Sequence, residues 1–198
     1  MARKTESRRA ALRENLIEIA ETTIAAEGLS ALRARDLAKE AGCAVGAIYN
    51  VFGDLTELVL AVNARTFHRL GADVAAALAE APQDPTEQLV VMAHAYHHFA
   101  AANHNSWRAL FDVDRAPGEA APDWYLAEMG RLFTYISDPL KVIFPDRDET
   151  ELALMTRALF SSVHGIVLLG LDEASAGVSA ENIDRMIALV LRQLTGAN

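Results

Sequence analysis

Apolar residues recur at helical spacing along almost the whole chain, and no stretch keeps the alternating pattern of a half-buried strand. Leu12, Leu16 and Ile19, for example, share one face of the first helix. The pattern predicts an all-α protein of about nine helices, and 198 residues are enough to bury a sizeable core. The predicted helices are residues 7–27, 34–41, 45–51, 54–80, 86–103, 105–113, 122–143, 149–172 and 179–195. The fourth is expected to start at Asp54, an N-cap with Glu57 three residues on.

Residues 34–53 have the pattern of two short helices that cross at a tight turn. Ala38 is small where the second helix crosses, and Gly42 stands where the chain would leave the first helix with a positive φ. The segment therefore predicts a helix-turn-helix that binds DNA. The positions that such a unit buries hold Leu37, Ala41, Cys43, Ile48 and Val51.

The net charge of −9 argues at first against a nucleic-acid partner. Residues 1–53, however, carry 8 Lys and Arg against 7 Asp and Glu, a net +1, whereas residues 54–198 carry 10 against 20, a net −10. The excess acid lies outside the predicted DNA-binding segment.

Cysteine content and hydropathy indicate the compartment. Cys43 is the single cysteine, which excludes an internal disulfide and fits a reducing environment. The longest apolar stretch, residues 159–171, is interrupted by Ser161, Ser162 and His164, and no apolar leader precedes a cleavage site. We expect a cytoplasmic protein with no membrane partner.

The run EGLSALRARDLAKEAGCAVGAIYNVFGDLTEL, residues 27–58, resembles the DNA-binding region of the TetR/AcrR (tetracycline-repressor-like) family. The resemblance spans about residues 8–60 and rests on Gly46, Tyr49, Phe52, Glu57 and Leu58. It implies a three-helix DNA-binding domain over residues 1–53, whose last helix lies in the major groove of double-stranded operator DNA.

The resemblance also implies roles for single residues. Tyr49 would reach a phosphate, and Gly46 would let the backbone approach DNA closely. Asn50 could hydrogen-bond a base edge, whereas Val45 and Ala47 could contact a thymine methyl. Further phosphate contacts are expected from Arg33, Arg35 and Lys39.

The chain departs from the family pattern at two phosphate-binding positions. Leu32 and Arg33 replace the usual threonine and serine before the second helix, and Leu55 replaces the usual lysine that opens the fourth helix. Each loss is expected to weaken binding to the DNA phosphates by about 1 kcal/mol, and Arg33 could compensate for this loss.

Residues 95–113 and 158–171 resemble the C-terminal domain of a branch of the same family named for a Trp-His-Gly signature. Val163 replaces the tryptophan, and His164 and Gly165 remain. Residues 54–198 are therefore expected to form a helical domain that binds an effector and dimerises.

Aromatic residues and methionines of the middle helices suggest a cavity for a small apolar effector that is neutral or cationic, although each could equally be plain core. The expected pocket residues are Met92, His98, Phe99, Asn103, Trp107, Phe111, Trp124, Tyr125, Met129, Phe160 and His164.

The histidines His94, His97, His98 and His104 raise the possibility of a metal site, because His94 and His98 share a helical face. That pair has no neighbouring carboxylate or thiolate in its helix, and His97 points about 60° away. We expect no metal and no cofactor. A helical metalloenzyme is the alternative, but no catalytic constellation supports an enzyme.

The last two helices carry apolar stripes that could be intrachain core. In the family the equivalent helices pair with their symmetry mates, so the resemblance implies a homodimer. The expected function is a ligand-responsive transcriptional regulator, a repressor that a small molecule releases from DNA, and the alternative is a constitutive DNA-binding regulator. The stripes are Leu152, Met155, Leu159, Val163 and Ile166 on one helix and Ile183, Met186, Ile187, Val190, Leu191 and Leu194 on the other.

Overall fold

A computed structural model describes residues 2–113, 120–172 and 177–196, with side chains from residue 5 onward. Within these ranges it contains nine α-helices and no strand, which confirms the all-α prediction. The helices are α1 (Ala2–Glu27), α2 (Ala34–Glu40), α3 (Val45–Val51), α4 (Leu55–Ala79), α5 (Pro85–Ala102), α6 (His104–Ala109), α7 (Asp123–Ile143), α8 (Glu149–Gly170) and α9 (Ala180–Thr195).

Local capping interactions explain where several helices begin. The Asp54 carboxylate accepts a hydrogen bond from the Glu57 backbone N–H, and the Glu57 carboxylate accepts one from the Gly53 N–H, each at 2.7 Å. This capping was predicted for the start of α4. Asp148 caps α8 and Ser179 caps α9, in each case by accepting a hydrogen bond from a backbone N–H of the first turn.

The structure departs from the predicted boundaries at the first helix, just after it, and at α6, which ends at Ala109 rather than at residue 113. α1 begins at Ala2 rather than residue 7. A 3-10 turn, Leu29–Ala31, follows Gly28, whose φ of 84° is in the region that favours glycine. A 3-10 turn of three residues is too short to show a repeating pattern of apolar residues. The spacing of apolar residues in the sequence therefore could not reveal it.

The chain divides into two compact units. The first unit comprises Met1–His68 and Asn103–Tyr125, and the second comprises Arg69–Ala102 and Leu126–Asn198. This division does not coincide with the predicted functional boundary at residue 53, because α6 packs on α1 and the Asn63 side chain donates a hydrogen bond to the Ala109 carbonyl at 2.9 Å. The helix-turn-helix thus shares a core with part of α4 and with α6.

The core of the first unit is formed by apolar side chains from α1 to α4 and from α6. Leu16, Ile24, Ile48, Phe52 and Leu58 are completely buried there. α2 packs on α3, and α1 contacts both of these helices. The arrangement holds the two short helices against a long one, as a helix-turn-helix requires.

In the second unit α9 packs on α5 and α8. The buried side of α9 is apolar, and Ile183, Ile187 and Leu191 are nearly inaccessible. A buried hydrogen bond of 3.0 Å joins the hydroxyl groups of Thr86 and Thr195. These contacts place half of the predicted α9 stripe, namely Ile183, Ile187 and Leu191, in the core of this unit.

The outward sides of α8 and α9 also carry large apolar residues. Leu154, Leu169, Met186, Leu189 and Leu194 are exposed. By length and composition alone, α8 could cross a membrane, and α3 with α4 would form a second candidate span if that bent pair were counted as one. One or two such helices are weak evidence of a membrane span, because the core helices of soluble proteins pass the same test.

Candidate nucleic-acid interface and ligand-binding residues

α3 has one side in the core and one side at the surface. Ile48 is completely buried, whereas Val45, Gly46, Tyr49 and Asn50 are exposed. Tyr49 is 47% exposed although it is a large aromatic residue, so burial does not account for its presence here. The exposed side of α3 carries both of the expected kinds of DNA contact, a hydroxyl for phosphate and an amide for a base.

The turn between α2 and α3 has the predicted geometry. Gly42 has a φ of 65°, and the Cys43 N–H donates a hydrogen bond to the Ala38 carbonyl at 2.9 Å. Leu37 and Ala38 are buried. The other predicted core positions of the turn are only partly buried but pack against the same cluster, namely Ala41, Cys43 and Val51.

Gly46 has no packing reason to be glycine. A Cβ built at this position would meet no atom of the described residues within 4 Å, and the residue lies in regular helix, where alanine is favoured over glycine. A surface that must approach another molecule closely would explain the missing side chain. Ala47, the neighbouring residue, is half-buried.

The three basic residues expected to bind phosphate are all exposed around α2. Arg35 and Lys39 lie on the helix itself. Arg33 immediately precedes it, and one nitrogen of its guanidinium donates to the carbonyls of Ser30 and Leu32. Because a guanidinium has five N–H donors, these contacts leave others for a phosphate.

The two departures from the family pattern have structural counterparts. Leu32 is buried in the core of the first unit, so the position that would carry a polar side chain contributes to packing instead. No side chain caps the N-terminus of α2. Leu55, at the start of α4, packs partly buried against the same core.

Side-chain amides attach α6 to the helices of the first unit. Asn63 on α4 binds the Ala109 carbonyl, and Asn105 donates to the Ala25 carbonyl on α1 at 3.1 Å. Sequence reasoning missed both residues. Asn63 could have been noticed, because a polar side chain in the apolar run from Leu58 to Phe67 is expected to be buried with a specific partner.

The structure distributes the expected pocket residues over both units. In the first unit Trp107 and Tyr125 are buried, Asn103 is half-buried, and Phe111 and Trp124 are exposed. Trp107 contacts Phe111 with ring centroids 5.7 Å apart. Ala109 lies in the core that also holds Ile48 and Phe52, so a larger side chain at this position would disturb the packing of the DNA-facing unit.

In the second unit an aromatic cluster, defined as Tyr96, Phe133, Phe160 and His164, joins α5, α7 and α8. The Tyr96 hydroxyl and His164 Nδ1 share a hydrogen bond of 2.8 Å. The Phe160 ring stacks on His164 at 5.5 Å and meets Phe133 edge-on at 5.1 Å. Tyr96 was not among the expected pocket residues.

The remaining expected pocket residues of the second unit differ in burial. Phe99 is buried, and Met92 and Met129 are half-buried. His98 is exposed, and its Nε2 lies 3.0 Å from a carboxylate oxygen of Asp184 on α9. The pocket assignment as a whole stays a prediction.

Two family models match the sequence and together span most of it. Residues 16–62 match the model described as bacterial regulatory proteins, tetR family. Residues 89–194, more than half of the chain, match the model of the tetracyclin repressor-like C-terminal domain. A search of the curated proteins found no match.

Solved structures with the same fold include a protein of unknown function from Rhodococcus sp. RHA1, which is 24% identical, has a TM-score of 0.72 and aligns over 93% of this chain and 94% of that one. RolR in complex with resorcinol is 20% identical, with a TM-score of 0.66 and coverage of 98% and 97%. The TetR family regulator PfmR from Thermus thermophilus is 21% identical, with a TM-score of 0.60 and coverage of 90% and 97%.

The likeness to these structures establishes the fold, and the two family models establish the relationship. The N-terminal model covers α2 and α3, where the chain buries Ile48 and exposes Tyr49 and Asn50. The chain belongs to the TetR family of bacterial regulatory proteins and is a DNA-binding transcriptional regulator.

Proposed function

We propose that the protein is a homodimeric repressor that binds a two-fold operator through α3 and leaves it when a small, largely apolar molecule binds the C-terminal helices. The observation that carries this proposal is the exposed side of α3, where Tyr49 and Asn50 face away from a completely buried Ile48. A rigid helix with a polar, exposed edge is what major-groove reading requires.

The exposed apolar sides of α8 and α9 support a dimer. Leu189 is 70% exposed, and Leu154 and Leu169 are nearly as accessible. A surface of this composition is rarely left in water on a soluble monomer. Pairing α8 and α9 with the same helices of a second copy would cover it, and two-fold symmetry in the protein matches an operator with two inverted half-sites.

The aromatic cluster of the second unit is the proposed site for the effector. Phe133 and Phe160 offer apolar ring surface, and the hydrogen-bonded pair of Tyr96 and His164 offers polar atoms that can donate or accept. RolR, which has the same fold, is described in complex with resorcinol. A small hydroxylated aromatic compound would suit the combination of rings and polar groups found here.

α6 belongs to the same unit as the DNA-facing helices. It is attached to α1 and α4 by Asn105 and Asn63, and it carries Trp107, one of the expected pocket residues. An effector would release the DNA only by as much as it binds the non-binding conformation more tightly than the binding one.

A release experiment tests the proposal. Operator DNA obtained by selection from random duplexes is bound to the protein, and resorcinol, other phenols and apolar compounds are titrated while fluorescence anisotropy is followed. We expect at least one compound to release the DNA, and His164→Leu to abolish release while operator affinity stays within a few-fold. His68→Ala, an exposed histidine on α4, is the matched control. Binding that no compound alters would favour a constitutive regulator.

A further inference from the structure

We propose that His97, His98 and Asp184 form a binding site for a divalent transition-metal ion that links α5 to α9. The three side chains offer ligand atoms that all lie within 4.8 Å of one another. His97 Nδ1 is 2.8 Å from one oxygen of the Asp184 carboxylate, and His98 Nε2 is 3.0 Å from the other. Two imidazole nitrogens and a carboxylate oxygen thus converge at one place.

The absence of a carboxylate near the histidines was the reason to expect no metal. This reason does not hold in the structure, because Asp184 lies on another helix, 87 positions away from His97, and contacts the histidines from there. The 60° between His94 and His97 is also no obstacle. His97 and His98 contact different oxygens of the Asp184 carboxylate. The angle between their side chains therefore does not prevent both from reaching the same site.

The surroundings hold these groups in place. His97 is fully buried, and its Nε2 has no hydrogen-bond partner within the described residues, so the contact of Nδ1 with Asp184 is the polar interaction that orients the ring. Burial of Asp184 opposes its ionisation, but the hydrogen bonds from His97 and His98 outweigh this effect and lower the pKa of the carboxyl group. The carboxylate is therefore negatively charged and available as a ligand at neutral pH.

The ligand chemistry selects the kind of metal. Imidazole nitrogens with one carboxylate suit zinc, nickel, cobalt or copper, whereas magnesium and calcium prefer oxygen ligands. Zinc bonds of about 2.0–2.1 Å place any two ligand atoms no more than about 4.2 Å apart. His98 is 63% exposed and can turn by the small amount that this needs.

His94 is a candidate for a fourth ligand. His94 lies one turn before His98 on α5, and its Nε2 is 3.0 Å from the backbone carbonyl oxygen of Asp184. It can complete a tetrahedral site after a change of rotamer, or leave a position for water. In either arrangement the ion would connect α5 to α9 within the second unit.

The test uses untagged, full-length protein stripped of metal with a chelator. Zinc chloride is titrated by calorimetry, cobalt(II) is titrated by visible absorption, and thermal unfolding is measured with and without zinc. We expect one ion per chain, the intense visible bands of four-coordinate cobalt and a zinc-dependent rise in Tm, because an ion that binds the folded state stabilises it.

Variants identify the ligands. His98→Ala and Asp184→Asn should each weaken zinc binding by at least about tenfold and abolish the rise in Tm. His104→Ala, which removes an exposed histidine of the first unit, should bind zinc like the parent protein. Circular dichroism shows whether the variants keep their helices. The proposal is wrong if the parent binds no zinc, or if both His98→Ala and Asp184→Asn bind it as tightly as the parent.

Discussion

At the scale of single residues, the exposed side of α3 separates two tasks that a DNA-binding helix must perform. Tyr49 has a hydroxyl at the end of a rigid ring, which suits a phosphate oxygen, and Asn50 has an amide that can both donate to and accept from an adenine edge. Phosphate contacts contribute to binding of every sequence, whereas base contacts discriminate among sequences.

Substituting these two residues should therefore have different effects. Tyr49→Phe should weaken binding to selected and scrambled duplexes alike, by about 1–2 kcal/mol, because it removes a hydrogen bond to a charged group. Asn50→Ala should weaken binding to the selected duplex by about 1–3 kcal/mol and leave the scrambled one nearly unchanged. Fluorescence anisotropy at one fixed salt concentration measures both. Equal losses on both duplexes for both variants would contradict this division.

A second prediction for a single residue concerns the missing side chain of Gly46. Gly46→Leu should preserve or raise thermal stability, because a Cβ there meets no atom within 4 Å and leucine favours helix. The same variant should lose DNA binding, because its side chain would project between α3 and the groove. Gly130→Leu is a matched control, since Gly130 is also exposed, helical and open around its Cβ. If Gly46→Leu binds DNA as well as Gly130→Leu does, α3 does not approach DNA at this point.

At the scale of helices, the sequence predicted those features that depend on residues close together in the chain. The start of α4 followed from Asp54 and Glu57, and the turn into α3 followed from Gly42, because capping and positive φ involve residues a few positions apart. The apolar period also identified Leu37 and Ile48 as the buried positions of the helix-turn-helix. Once the buried positions are assigned, the other residues of α3 are expected to be exposed.

Contacts between distant parts of the chain were not predictable from the same signals. The sequence left open whether the apolar stripes of the last two helices are intrachain core or a dimer contact. Leu159 and Ile187 are buried within the chain, whereas Leu194 of the same stripes is exposed, as are Leu154 and Leu189 outside them. Helical spacing defines a stripe but not which neighbour covers it. For the same reason the approach of Asp184 to His97 could not be foreseen.

The link between α4 and α6 provides a prediction for the helices. Asn63→Ala should lower the free energy of unfolding by about 1–3 kcal/mol, because it leaves the buried Ala109 carbonyl without its donor. Chemical denaturation measures this loss. Asn182→Ala, a control at an exposed position of α9, should change stability by less than about 0.5 kcal/mol. Equal stability of the two variants would show that α6 is held by other contacts.

At the scale of the whole molecule, the two-fold dimer proposed above would explain why an acidic chain can recognise DNA. The net charge of −9 comes from residues 54–198, while residues 1–53 are close to neutral. Two DNA-facing units held together double the number of phosphate and base contacts, so modest contacts from each α3 can give useful affinity.

The dimer can be tested by placing a charge on its proposed interface. Leu189→Arg should convert a dimer into a monomer at micromolar concentration, because pairing would bury an uncompensated charge. Val142→Arg is the matched control, since Val142 on α7 is 68% exposed and lies outside the proposed α8 and α9 surface. Sedimentation velocity distinguishes the species. A parent protein that is already monomeric, or a Leu189→Arg variant that remains dimeric, would contradict the proposed interface.

Selection of DNA from a library of random duplexes, followed by sequencing, tests the central claim most directly. If each chain of a dimer reads one half-site through α3, the enriched sequences contain an inverted repeat, with half-site centres about one helical turn or a multiple of it apart. Tyr49→Ala should abolish the enrichment. Absence of any enriched sequence, or enrichment of a single unrepeated site, would contradict the account.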